Sequence, residues 1–273
     1  MPAKTLQRLL EELQPLKQLA VAFSGGVDSS VVVAAAARAL GTENVLAVTA
    51  RSETLPASEL AEATALAQSL GIPHVIIETR ELDKDEFRTN PPERCYHCKK
   101  ELWQKVGALA AEKGIMHIAD GVNAGDARDF RPGIKAGDEA GILHPLAALG
   151  AIKADVRRMA RELGLPNWDK PAQACLSSRF PYGSTITAER LERVEAAEKF
   201  LRDRGLAELR VRDHGDIARI EVPSAKLGNI AAEGEREQIV RVFKQLGYTY
   251  VTLDLEGFRS GSMNEVLPYM PEQ

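Results

Sequence analysis

The chain has 273 residues, enough for one large domain or for a domain of ordinary size plus a smaller one. Hydrophobic residues at 44% and charged residues at 27% give the balance of a soluble globular protein. A net charge of −4, with a pI near 5.9, lacks the basic footprint of a nucleic-acid-binding protein, and the longest apolar stretch, VVVAAAARAL, is broken by Arg38 and too short to cross a bilayer.

The opening MPAKTLQRLLEELQPLKQL reads as an amphipathic helix with charges throughout and not as a signal peptide, so the expected location is the cytoplasm. Thiols stay reduced there, which favours metal binding or catalysis over a disulfide for the three cysteines. LAVAF (19–23) reads as a buried strand, SSVVVAAAARAL as a helix, VLAVTA (45–50) as a strand, and PASELAEATALAQSLG as a helix ended by Gly71. HVIIET (74–79) is a third strand, Cys95 to Lys113 a helix, GIMHIADG a fourth strand and KADVRRMARELG a helix. Near-continuous apolar strands alternating with helices predict an α/β fold, a parallel sheet with helices on both faces. Ligands of such sheets bind at the carboxyl ends of the strands.

The proline-punctuated stretch LPNWDKPAQACLSSRFPYGSTIT follows as a long irregular segment, of a kind often tied to function. A charged helix (187–204), two strands joined by a His-Gly-Asp turn, a helix (EREQIVRVFKQLG) and a last strand (YTYVTLDLEG) complete the chain. This order predicts a small, largely antiparallel α+β domain, with the division placed as 1–184 and 185–273.

AVAFSGGVDSS places Ser24, Gly25 and Gly26 where strand one gives way to a helix. Glycines permit a tight turn close to a ligand, and the turn amides with the helix N-terminus make an anion site suited to phosphate. Ser24, Ser29 and Ser30 offer hydroxyl donors, and Asp28 a ligand for Mg²⁺ beside the phosphates. There is neither the lysine of a Walker A loop nor the G-x-G-x-x-G of a dinucleotide fold. The string resembles the PP-loop of the N-type ATP pyrophosphatases, whose members include NAD and GMP synthetases, argininosuccinate synthetase and tRNA-thiolating enzymes. That resemblance implies cleavage of ATP between its α and β phosphates and adenylation of a substrate oxygen. It also implies an adenosine site at TARS (49–52), with Arg51, and a nucleotide-facing loop in ADGVNAGDARDFRPG, with Gly121, Asn123, Asp126 and Arg131.

Cys175 lies in PAQACLSSRFPYG, where Lys170 and Arg179 are near in sequence and suited to favouring a thiolate. A lone cysteine is usually a small buried hydrophobe, but an adenylating enzyme needs a nucleophile and a thiol serves. SGGVDSS, DGVNAGDARDFRPG and ACLSSRFPYG, followed by an α+β tail, resemble the LarE family across nearly the whole chain. These are the sulfur transferases that mature the nickel-pincer nucleotide cofactor of lactate racemase. The resemblance implies that the carboxylates of pyridinium-3,5-biscarboxylic acid mononucleotide become thiocarboxylates through acyl-adenylates, with Cys175 at the sulfur-bearing position. In one branch that cysteine gives up its own sulfur and is left as dehydroalanine. Cys95 and Cys98, in NPPERCYHCKK, match the other branch, in which three cysteines hold a [4Fe–4S] cluster with one iron open to sulfide from solution or from a donor protein. A zinc site of Cys95, Cys98, Cys175 and His97 or another histidine, or thiols without metal, are the alternatives.

In the second domain, LRVRD puts Arg210 and Arg212 on one strand face, because side chains alternate. With Arg259, and with Glu198 steering the pair, the family resemblance implies a grip on the substrate phosphate at a subunit contact and a homo-hexameric assembly. A tRNA-thiolating enzyme is the nearest alternative function; an amidating synthetase, which lacks a glutaminase arrangement here, and an ATP-gated binding module stand further off.

Overall fold

The computed structural model describes residues 2–126, 132–259 and 261–267, with side chains from Leu6 onward. The chain divides into two compact units, one of Met1–Glu81 with Glu93–Gln173 and the other of Leu82–Pro92 with Ala174–Gln273.

The first unit opens with α1 (Pro2–Leu13), whose Leu6, Leu9 and Leu13 share one face and are buried. There follow β1 (Leu19–Ala22), α2 (Val27–Leu40), β2 (Val45–Arg51), α3 (Ala57–Ser69) and β3 (His74–Glu78). All pairings in the four-stranded sheet are parallel, in the order β3-β2-β1 and then β4 (Ile118–Ala119) on the far side of β1. Side chains alternate across the sheet as a strand period of two requires. Leu19 and Val21 of β1 and Val45 and Ala47 of β2 join one core with α1, α2 and α3. Ala20, Leu46 and Val48 enter a second core. The sheet is thus covered on both faces, the predicted α/β architecture.

The chain steps outward from β1 to β2 to β3 and then returns to lay β4 beside β1. That reversal creates a crevice at the carboxyl ends of β1 and β4, the place where open α/β sheets hold their ligands.

The second unit takes in α4 (Asp85–Arg88). Backbone bonds from Gly183 to Asn90 (2.9 Å) and from Ile186 to Arg88 (2.9 Å) hold residues 82–92 there, reinforced by the Asn90 amide on the Phe180 and Pro181 carbonyls. Back in the first unit come α5 (Arg94–Glu112), α6 (Pro132–Glu139), α7 (Pro145–Ala148) and α8 (Lys153–Glu162). Leu102, Trp103, Val106 and Ala110 of α5 and Ala136 of α6 complete the second core.

The second unit continues with α9 (Ala188–Arg202), capped by the Thr187 side chain on the Arg190 amide, then β5 (Arg210–His214) and β6 (Ile217–Glu221), joined through Gly215 at φ +75°. α10 (Leu227–Ala231) and α11 (Glu235–Gln245) lead to β7 (Tyr250–Leu253). β5 and β6 pair antiparallel, but β6 and β7 pair parallel, so the small sheet is mixed and not largely antiparallel. The cause is the helical connection, which crosses over and returns the chain in the same direction.

Candidate active site

Strand β1 ends at Ala22, and the loop from Phe23 to Gly26 enters α2 two residues earlier than the helix expected from SSVVVAAAARAL. Asp28, Ser29 and Ser30 therefore lie in the first helical turn, at the positive end of the macrodipole. Gly25 sits at φ +72°, and a Cβ there would come within 2.9 Å of the Ala63 Cβ of α3, so glycine is required on both counts. The hydroxyls knit the turn together. Ser24 donates its amide to the Ser29 hydroxyl at 3.2 Å, Ser29 and Ser30 donate to the Gly26 carbonyl at 3.2 and 2.8 Å, and the Ser24 hydroxyl accepts from the Gly26 amide at 3.3 Å.

The loop after β4 packs directly against this turn, since a Cβ on Gly121 would stand 2.5 Å from the Ser29 amide nitrogen. Asn123 donates its side-chain amide to one Asp28 oxygen at 3.2 Å, and Lys153, the first residue of α8, forms an ion pair with the other. Asn123 is itself set by a local turn, accepting from the Gly125 amide at 2.9 Å. The Asp126 carboxylate accepts from the Asn123 amide at 3.1 Å. Arg131 lies outside the described residues. Arg51, at the end of β2, pairs with Glu78 at the end of β3 and is exposed.

Two residues of this site lacked a sequence signal. Lys153 is one. Asn167 is the other, donating to the Gly25 carbonyl at 2.9 Å and to the Ser30 hydroxyl at 3.0 Å. Both are ordinary polar residues of helix starts and loops, and only the fold brings them to the turn. Lys170, expected beside the Cys175 thiol, is instead committed to Glu59 and Glu62 of α3 at 2.7 Å each.

Behind the crevice, His144 bridges two carboxylates, with Nδ1 2.7 Å from Asp120 and Nε2 3.3 Å from Asp138. The Asp120 hydrogen bond raises the pKa of His144 against the opposing effect of burial.

Cys95 and Cys98 lie one helical turn apart at the start of α5, and the Cys98 thiol donates to the buried Glu81 carboxylate at 3.5 Å. His97 sits between them, its ring edge-to-face with Tyr96. Cys175 belongs to the second unit, where it caps a 3-10 turn, Leu176–Arg179, and is exposed. None of the three is in a disulfide. Among the described residues, no three His, Cys, Asp or Glu side chains gather closely enough to hold a metal ion. The donors themselves, accessible soft thiols, suit iron–sulfur ligation in kind, with two on one unit and the third on the other.

Arg210 and Arg212 lie in a buried network, not on a solvated face. Arg212 forks onto Glu221 at 2.9 and 2.7 Å and also donates to the Ser178 carbonyl. Glu198 takes a fork from Arg179 at 2.7 and 2.8 Å, a bond from Arg202 at 2.5 Å and the Val211 amide at 3.0 Å. Burial alone would raise the Glu198 carboxyl, but these cations and the amide hold it below its ordinary value. Arg210 stacks against Phe258, and burial, then the charge of Arg179, pushes its guanidinium down to about 10. Arg259 pairs with Glu256 at 2.8 Å and with Glu265 at 3.3 Å.

A parallel sheet with a serine-glycine turn and an aspartate at its switch point defines the nucleotide-binding domain of the PP-loop ATP-utilising enzymes. Accordingly, the NAD synthase family profile matches residues 3–98. An uncharacterised protein of Synechocystis is 45% identical over 96% of this chain and 97% of its own length. The pyridinium-3,5-bisthiocarboxylic acid mononucleotide synthase of Lactiplantibacillus plantarum is 43% identical over 95% of this chain and 93% of its own length. An uncharacterised protein of Methanocaldococcus jannaschii is 30% identical over 93% and 96% of the two chains. The chain belongs to the LarE family of ATP-dependent sulfur transferases.

Proposed function

We propose that this protein adenylates the carboxylates of pyridinium-3,5-biscarboxylic acid mononucleotide and converts them to thiocarboxylates, in the cytoplasm and as a homo-oligomer. The observation that carries this reading is the likeness, over 93% of its length, to a synthase named for the bisthiocarboxylic product. The triphosphate lies against the Ser24–Gly26 turn, with Ser29 and Ser30 at the helix start. Arg51, at the end of β2, and Arg131 contact the nucleotide, and Asp28 holds Mg²⁺. A substrate carboxylate oxygen attacks the α-phosphorus, the bond to the β-phosphate breaks, and pyrophosphate leaves with that electron pair. Sulfur then attacks the acyl carbon, and AMP departs as the C–O bond breaks. Arg210, Arg212 and Arg259 supply the positive charge for the phosphate of the mononucleotide.

Cys95, Cys98 and Cys175 are the residues that would hold a [4Fe–4S] cluster. Three thiolates leave one iron open, where the cluster supplies a docking point for sulfide taken from outside the protein. What supports the cluster over sacrifice of Cys175 is the presence of Cys95 and Cys98 on accessible turns of one helix.

Anaerobic purification followed by iron and sulfide analysis and a visible spectrum tests the cluster. A colourless, iron-free protein after reconstitution sinks it, and conversion of Cys175 to dehydroalanine during turnover points to sacrifice. Copurifying tRNA, or RNA binding that falls steeply with salt, would favour thiolation of RNA instead.

A further inference from the structure

Arg179 is the largest fully buried side chain among the described residues, and the proposed reaction gives it no part. Its Nε and Nη2 fork onto Glu198, which is equally buried. Its Nη1 donates to the carbonyls of Ala174 at 2.8 Å and Cys175 at 3.2 Å, and to the Ser178 hydroxyl at 2.9 Å. The Cys175 carbonyl also accepts from the Ser178 amide at 3.0 Å. Leu176 and Phe180 are sunk in the core on either side of the turn, whereas Cys175 is exposed. One guanidinium therefore draws two successive carbonyls inward, directly at and before the cysteine, while its other edge is locked on α9.

A buried ion pair contributes little net stability compared with well-packed apolar groups, because desolvation offsets most of the attraction. What this pair supplies that apolar groups would not is a fixed peptide geometry at 174 and 175. We propose that Arg179, locked on Glu198, is a positioning residue that presents the Cys175 side chain to the reaction. This rests on the reading of Cys175 as a sulfur-transfer residue. Placement matters because a displacement of about 1 Å at a reacting group costs on the order of 100-fold in rate.

The test is Arg179→Lys, which keeps a cation beside Glu198 but lacks the planar fork needed to reach both the carboxylate and the carbonyls. Three readouts are taken on folded protein: pyrophosphate release, sulfur incorporation in a single turnover, and the rate at which iodoacetamide alkylates each cysteine of the iron-free protein. Sulfur incorporation is expected to fall about tenfold or more while pyrophosphate release stays within about twofold. Alkylation of Cys175 changes while Cys95 and Cys98 react as before. Folded R179K that incorporates sulfur and alkylates Cys175 at the parent rates overturns the proposal. So does a loss in which pyrophosphate release falls in proportion, the mark of a merely structural role. If R179K does not fold, Glu198→Gln, which keeps an acceptor for the Val211 amide, is read by the same criteria. A Cys175→Ser variant that still transfers sulfur removes the parent reading instead, and the alkylation rates then test the clamp alone.

Discussion

Gly121→Ala adds one methyl group to the crevice, and its consequence follows from the geometry. Gly121 does not have a positive φ, so alanine is acceptable to its backbone and the effect is steric. The added Cβ would meet the Ser29 nitrogen at 2.5 Å and the Asp28 carbonyl carbon and Ser29 Cα at 2.9 Å. Ordinary contact needs about 3.5 Å, so one side must retreat by roughly 1 Å. The obstacle is helix backbone, and α2 is fixed from behind by Val31, Val32 and Val33, all fully buried. Helix α2 therefore holds, and the β4 loop moves away from Asp28, carrying Asn123 with it. Overpacking of this kind costs about 1–3 kcal/mol, measured by urea unfolding. The displaced loop lowers ATP-dependent pyrophosphate release by about 100-fold. Gly107→Ala is the control, since nothing lies within 4 Å of a Cβ there. In the interior of α5 it raises stability by roughly 0.5–1 kcal/mol and leaves pyrophosphate release unchanged. G121A with parent stability and parent activity would refute the reasoning.

His144 has a raised pKa in the folded state, so it binds a proton more tightly there than in the unfolded chain. Its contribution is full below the ordinary histidine value of about 6.5 and is lost as pH rises through the folded value. His144→Gln should therefore lower the unfolding midpoint more at about pH 6 than at about pH 9, and an equal loss at both would count against the Asp120 contact as its cause. Asp28→Asn keeps the Asn123 contact but removes the charge that faces Lys153 and that is proposed to hold Mg²⁺. Pyrophosphate release should drop by roughly 100-fold, and an unchanged magnesium titration would contradict the assignment. Arg210→Met exchanges a guanidinium crowded by other arginines for an apolar chain of similar length. The unfolding midpoint should rise while the KM for the mononucleotide increases, and a variant less stable than the parent would show that the charge is better compensated than the lowered pKa indicates.

The elements of the first unit were legible because their signals are local. Short, mainly apolar strands such as LAVA and VLAVTA, alternating with helices, one of them ended by Gly71, read directly as a covered parallel sheet. The Ser24–Gly26 turn was legible for the same reason, as a contiguous string between a strand and a helix. The loop after β4 could be named but not its contact, because the 2.5 Å approach of Gly121 to Ser29 joins residues more than ninety positions apart. Lys153 and Asn167 escaped notice for that reason too. The excursion of residues 82–92 into the second unit rests on bonds from Asn90 to Phe180 and Pro181, partners likewise supplied by the fold. Periodicity placed Arg210 and Arg212 on one face of a strand, but period two does not say whether that face meets solvent or core.

The second unit also shows why whole-chain charge is a poor guide to a site. The protein carries a net charge of −4, yet the core beneath the 3-10 turn sets Arg179, Arg202, Arg210 and Arg212 around Glu198 and Glu221. Burial, then the charge of Arg179, pushes the Arg210 guanidinium there down to about 10. Burying guanidinium groups beside one another carries a desolvation cost that opposes folding. In the proposed site a phosphate dianion would offset the repulsion among the arginines. The same arginines also hold the cysteine's turn, through Arg179 on the carbonyls of 174 and 175 and Arg212 on the carbonyl of Ser178. The proposed anion binding and the proposed presentation of Cys175 thus draw on one network, so substitutions that weaken the first are expected to disturb the second unless they spare Arg179 and Glu198.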